Sequence, residues 1–161
     1  MLNPFRRSPS VADDKFFELA ALFSEDQQRP TLRQALLNQE TLDYSLESLK
    51  HVDAFLEQFH STPPEGDEAA RVVLRSGAYV GEVIRRNSSH QLYWVTFKEA
   101  ARCSKLVKGL EHSLATAGIL WKDPQNMCFP LAKVLKYLEN GSEDSVYSFA
   151  RMMLENDLGL L

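Results

Sequence analysis

Between residues 42 and 60 the apolar positions of this 161-residue chain recur at helical spacing. With successive residues ~100° apart, Leu42, Leu46, Leu49, Val52, Leu56 and Phe59 fall within an arc of roughly 140°, the width of a core-facing stripe. The spacing predicts one amphipathic helix over 42–60. Asp53 lies at the edge of that arc, and a carboxylate so placed has to be paired or hydrogen-bonded, since burying it alone costs more than a helix recovers. A second helix is predicted after the loop Ser61-Thr62-Pro63-Pro64-Glu65-Gly66, with Asp67 as its cap. From Ala69 to Ile84 its apolar and small residues cover roughly 220° of the wheel, so it is expected to be nearly buried. The narrow polar face carries Arg71, Arg75, Glu82 and Arg86, with Glu82 and Arg86 an i,i+4 surface pair. Gly77 and Gly81 share one side, beside Val73, Val80 and Ile84. Each glycine costs about 1 kcal/mol against alanine inside a helix, so the pair predicts close packing against bare backbone.

The remaining elements follow from caps, breaks and alternation. Residues 1–9 read as a flexible arm. Ser10 is placed to cap a helix with Asp13 and Asp14 in its first turn and Phe16, Phe17, Leu19, Ala20, Leu22 and Phe23 on its buried side. Gln27–Thr31 breaks it, and Thr31 starts a short helix through Leu37. Gln91–Phe97 is the best strand pattern, aromatic and β-branched; Thr116–Trp121 and the short Met127–Phe129 are further strands. Residues 98–113 read as helix or irregular chain. Pro130 suits the first turn of a helix to Glu139 that Asn140-Gly141 ends. Ser142-Glu143-Asp144 starts a last helix through Leu154, with Val146, Phe149, Ala150 and Met153 inward. The sum is an α+β chain, mostly helical with a small central antiparallel sheet of 2–4 strands, in a single domain over 1–161.

Composition narrows the classes. The chain is 44% hydrophobic and 25% charged, enough for a core without metal or disulfide. A net charge of −4, with Arg6-Arg7 and Arg85-Arg86 the densest basic points, argues against nucleic acid. No apolar run approaches the ~18 residues of a membrane span, and the first residues lack the apolar core of a signal peptide. Cys103 and Cys128 stand apart without CxxC spacing, so a reducing, cytoplasmic setting is expected. Nothing in the pattern asks for a cofactor.

The segments Leu42-Asp43-x-Ser45-x-Glu47-Ser48-Leu49 with Val52-Asp53, Gly77-Ala78-Tyr79-x-Gly81-Glu82-Val83, Trp94, and Phe129-Pro130-x-x-Lys133-Val134-x-Lys136-Tyr137-Leu138-Glu139-Asn140-Gly141-x-x-Asp144-Ser145-Val146 form one set. With it the chain resembles an uncharacterised family of small bacterial proteins over roughly residues 40–150. The resemblance implies the fold and supplies no activity.

Candidate chemistry is sparse. A thiol nucleophile would be Cys103 or Cys128 with His112, against the reading of both thiols as small core hydrophobes. Asp43, Glu47 and His51 share a helix face at i, i+4, i+8, a metal-ligand spacing or a solvated face. Asp53 with Arg71, Arg75 or Arg85 would be a structural ion pair or the polar floor of a cleft. Glu82 invites acid–base work with Asp53 as partner, against the plain pair with Arg86. Tyr93 and Trp94 lack the basic neighbours of a nucleic-acid stacking platform and fit a core or interface better. A ligand cleft, if present, would therefore use Asp53, Arg75, Glu82, Arg85 and Trp94. Phe16, Phe17, Tyr93 and Trp94 are more aromatic bulk than the core is expected to take in full. The expected function is that of a non-enzymatic protein acting through a protein partner or self-association. The alternatives are a small-ligand binder or hydrolase-like enzyme at the Asp53–Glu82 cleft, and an immunity- or effector-associated protein.

Overall fold

The computed structural model describes residues 8–156; most of the expected arm lies outside them. Seven α-helices and three strands follow in the order α1 (Asp13–Glu25), α2 (Leu49–Glu57), α3 (Gly66–Asn87), β1 (Tyr93–Thr96), α4 (Phe97–Cys103), α5 (Lys105–Lys108), β2 (Gly118–Asp123), β3 (Asn126–Cys128), α6 (Pro130–Asn140) and α7 (Val146–Glu155). Single 3-10 turns lie at Gln34–Leu36, Leu46–Ser48, Leu114–Thr116 and Gly141–Asp144. The described residues are thus α+β, mostly helical with a three-stranded antiparallel sheet. None of their helices is long and apolar enough to cross a membrane.

The central rod is α3, whose residues Arg75 to Ile84 are all buried. α1 and α6 pack on it most extensively, and α7 joins them. The glycine pair sets how close they come. A Cβ at Gly77 would lie 2.9 Å from Leu131 of α6, and one at Gly81 would run into the indole of Trp94 and sit 3.2 Å from Pro130. Arg75 and Glu82, expected on a solvent-facing polar strip, are buried instead, because the turn after α1 supplies polar partners to Arg75 and β1 supplies one to Glu82.

The expected single helix over 42–60 divides. Asp43 accepts the N–H of Ser45 at 3.0 Å, Tyr44 adopts φ +61°, and Ser45 caps a 3-10 turn before α2 starts at Leu49. Short polar side chains that satisfy nearby backbone donors compete with helix in this way. Leu42, Leu49, Val52, Leu56 and Phe59 are buried all the same. At the other end, Ala12 rather than Ser10 holds the N-cap position of α1, with no side-chain cap hydrogen bond. The Ala12 N–H donates to the Trp94 carbonyl (2.7 Å) and Asp13 accepts the Trp94 N–H (2.7 Å), so the start of α1 is fastened to β1.

The sheet runs β1-β2-β3, with Trp94 opposite Leu120, Val95 opposite Ile119, and Trp121 opposite Met127. Alternation sends Trp94, Leu120 and Cys128 into the main helical core and Val95, Ile119, Trp121 and Met127 onto Ala100, Cys103 and Val107 of α4 and α5. Both faces are therefore covered. The aromatic surplus divides accordingly, with Phe16 and Trp94 fully buried and Phe17 and Tyr93 half-buried.

Candidate functional site

Three of the five expected site residues, Glu82, Arg85 and Trp94, meet at the end of α3. Helical spacing brings both arginines back onto the carboxylate from i+3 and i+4. β1 directs the Trp94 indole into the space that Gly81 leaves, and Phe16 of α1 stacks on that ring with centroids 4.3 Å apart and planes 11° from parallel. Glu82 Oε1 accepts from Trp94 Nε1 (2.8 Å) and Arg85 Nε (2.9 Å), while Oε2 accepts from Arg86 Nε (2.9 Å) and Arg85 Nη2 (3.2 Å). The hydrogen bond to Glu82 raises the Arg85 pKa still further. The Glu82 side chain is 0% exposed, against 25% for Arg85 and 41% for Arg86. The guanidiniums lie over aromatic rings, Arg85 above Phe17 (4.5 Å) and Arg86 above Tyr44 (3.6 Å).

Chemically this is a clamp. A general acid or base has to come within hydrogen-bond reach of substrate, and Glu82 is enclosed by donors from its own chain. Phe17, one of the surplus aromatics, and Tyr44, which the residue pattern did not single out, complete the cluster. Asp43-Tyr44-Ser45 carried the one local sign, the Asx-type turn that breaks the helix. Tyr44 is held at both ends of its peptide unit, its N–H by Tyr79 Oη (3.0 Å) and its carbonyl by Asn87 Nδ2 (2.9 Å).

Arg75 and Asp53 lie elsewhere. Arg75 donates to the Arg29 carbonyl (2.8 Å), to Thr31 Oγ1 (3.1 Å) and to Asp26, tying α3 to the turn after α1. The backbone N–H of Arg29 is the first of the contacts that lower the Asp26 pKa. Contrary to expectation, Asp53 pairs with Ser145 and the α7 backbone and with none of Arg71, Arg75 or Arg85. Its oxygens accept from Val146 N (2.8 Å), Tyr147 N (3.4 Å) and Ser145 Oγ (2.6 Å), so α2 delivers the carboxylate to the first turn of α7. Asp53 and Glu82 have separate partners on separate elements, and the acidic cleft that would join them does not assemble.

The other candidates fare similarly. Both cysteines are buried, and desolvation raises the Cys103 pKa and pushes Cys128 up to about 12, the wrong direction for a nucleophile. His112 stacks on Phe97 with ring centroids 4.7 Å apart. The 42–60 break takes Asp43 off the helix face of Glu47 and His51, and Glu47 pairs with Lys50 (2.6 Å). No group of three His, Cys, Asp or Glu among the described residues is arranged to hold an ion.

Several open features remain among the described residues, one of them lined in part by Phe129, Lys133 and Lys136 of the segment 129–146. Where α6, α7 and the chain after α5 meet lies a groove of about 520 Å³ whose lining includes Leu110, Phe129, Phe149 and Met152. Leu110 is 41% and Met152 45% exposed, and Leu106, one turn before Leu110, is 55% exposed. Lys133 and Lys136 stand on the α6 side, Lys133 paired with Asp144 at 2.6 Å. Comparison with protein-family models, curated proteins and solved structures finds no match to the chain.

Proposed function

We propose that this chain is a non-enzymatic binding protein that works through a protein partner or a second copy of itself, engaged at the α6–α7 groove. The observation that carries the reading is the contrast between closed charges and an open apolar surface. Glu82, Arg75 and Asp53 are each consumed by contacts within the fold, while Leu110 and Met152 stay exposed in a concave, largely apolar lining. Side chains of that kind, grouped and concave, mark interaction surfaces more often than scattered exposed apolar residues do. Two free, buried cysteines support a reducing compartment as its place of work.

The test compares the wild-type chain with Met152→Glu, whose site is exposed enough to accept a charge without unfolding. Sedimentation velocity over a concentration series and affinity capture from the native lysate are run on both. The expected result is an assembly, homomeric or with a stoichiometric protein, that Met152→Glu removes. A monomer that captures nothing, or an assembly indifferent to the substitution, would overturn the reading.

A further inference from the structure

We infer that the α6–α7 groove receives an acidic amphipathic helix of a partner protein, an inference that rests on the binding-protein reading above. α6 presents Ala132, Lys133 and Lys136 to the groove, and α7 presents Phe149, Met152 and Met153. Each wall is therefore a ridge of residues at i, i+3 or i+4, the relief into which a further helix packs. The walls are 11 and 10 residues long. At 1.5 Å per residue they run about 15 Å, the length of roughly three helical turns. Two adjacent methionines on one wall give a lining that reshapes around its occupant.

Charge selects the occupant. Among the described residues the groove lining holds two lysines and no acid, although the chain as a whole carries a net −4. Lys133 is hydrogen-bonded to Asp144, which also attracts Lys136 from further off; Lys136 is exposed at the rim, and Lys108 is exposed two residues before Leu110. A second copy docked two-fold on this face would bring Lys136 toward its own equivalent, with no acid in the lining to answer it. A helix with leucines on one face and carboxylates along its flanks answers both the apolar floor and the lysines.

The test is a selection from displayed helices of about 14 residues, four turns. Leucine is fixed at i, i+3, i+4 and i+7, and the other positions are drawn equally from Glu, Lys, Gln and Ala. The full chain is the bait and the Met152→Glu chain the counter-bait, with folding of each checked by circular dichroism. The starting pool is neutral on average. The expected binders need Met152 and average about −2 in net charge, and a Lys136→Glu bait moves that average by about one charge toward positive. Neutral or basic binders, or binders unmoved by Lys136→Glu, would overturn the acidic-helix inference. So would a dimer that Met152→Glu dissolves, or binding seen only after residues 157–161 are removed. A dimer or a captured partner lost in Met152→Glu would still leave the binding-protein reading standing. No Met152-dependent association of any kind would sink both.

Discussion

The carboxylate of Glu82 collects N–H groups from Arg85, Arg86 and Trp94 and faces no solvent, so its charge is what keeps two guanidiniums at the end of α3. Glu82→Gln leaves those cations around a neutral amide and turns one acceptor oxygen into a donor. Breaking a buried pair from one side costs about 3 kcal/mol or more, and urea unfolding followed by fluorescence is expected to show a loss of that size. Trp94→Phe removes one donor and is expected to cost less, about 1.5 kcal/mol for a hydrogen bond to a charged group plus lost packing. A Glu82→Gln midpoint equal to wild type would mean the cluster is not a clamp. The arrangement was half legible in the sequence. Helical spacing put Glu82 with Arg86, but the burial of the carboxylate depended on Trp94 of β1 reaching it, which spacing along one helix does not show.

Asp53 acts between elements. It accepts the N–H groups of Val146 and Tyr147 across more than ninety residues of chain, so α2 caps α7 in the way a residue just before a helix usually does. Its partner is a helix terminus rather than an arginine, so the expected loss is that of a cap. Asp53→Ala is predicted to cost about 1 kcal/mol, with hydrogen exchange speeding at Val146 and Tyr147 before it does in α3. Uniform exchange across the chain would argue against that role. The sequence required a partner for this carboxylate from its place on the helix wheel. It offered no means of preferring Ser145, because wheel position reports which face a residue lies on and not what crosses it.

For the whole molecule, acid and base limbs of stability have different owners. Asp26 is held below its ordinary 3.8 first by the Arg29 N–H, and Asp144 first by Lys133. A folded-state pKa that is depressed contributes stability in full above the unfolded value and loses it as pH falls through the folded one. The urea midpoint is therefore expected to be flat between about pH 5 and pH 9 and to drop below about pH 4. Cys128 has the opposite sign. Its thiol is raised from 9.0 to about 12, so its share is complete below 9.0 and is lost as pH climbs toward about 12. Urea titrations across that range check both limbs, and a Cys128→Ala chain that still loses stability equally toward high pH would remove the second. What the sequence determined by itself was local: the near-complete burial of α3, the presence of three short strands, the Pro130 start and Gly141 end of α6, and the need for a partner at Asp53. Those follow from periodicity, backbone preference and the cost of unpaired charge, all of which act within a few residues. The tertiary structure decided which partner each charge took, with Arg75 on Asp26, Asp53 on α7 and Glu82 on Trp94, and it left the α6–α7 groove open. Such pairings join segments far apart in the chain, and only the packing of helices around α3 brings them within hydrogen-bond distance.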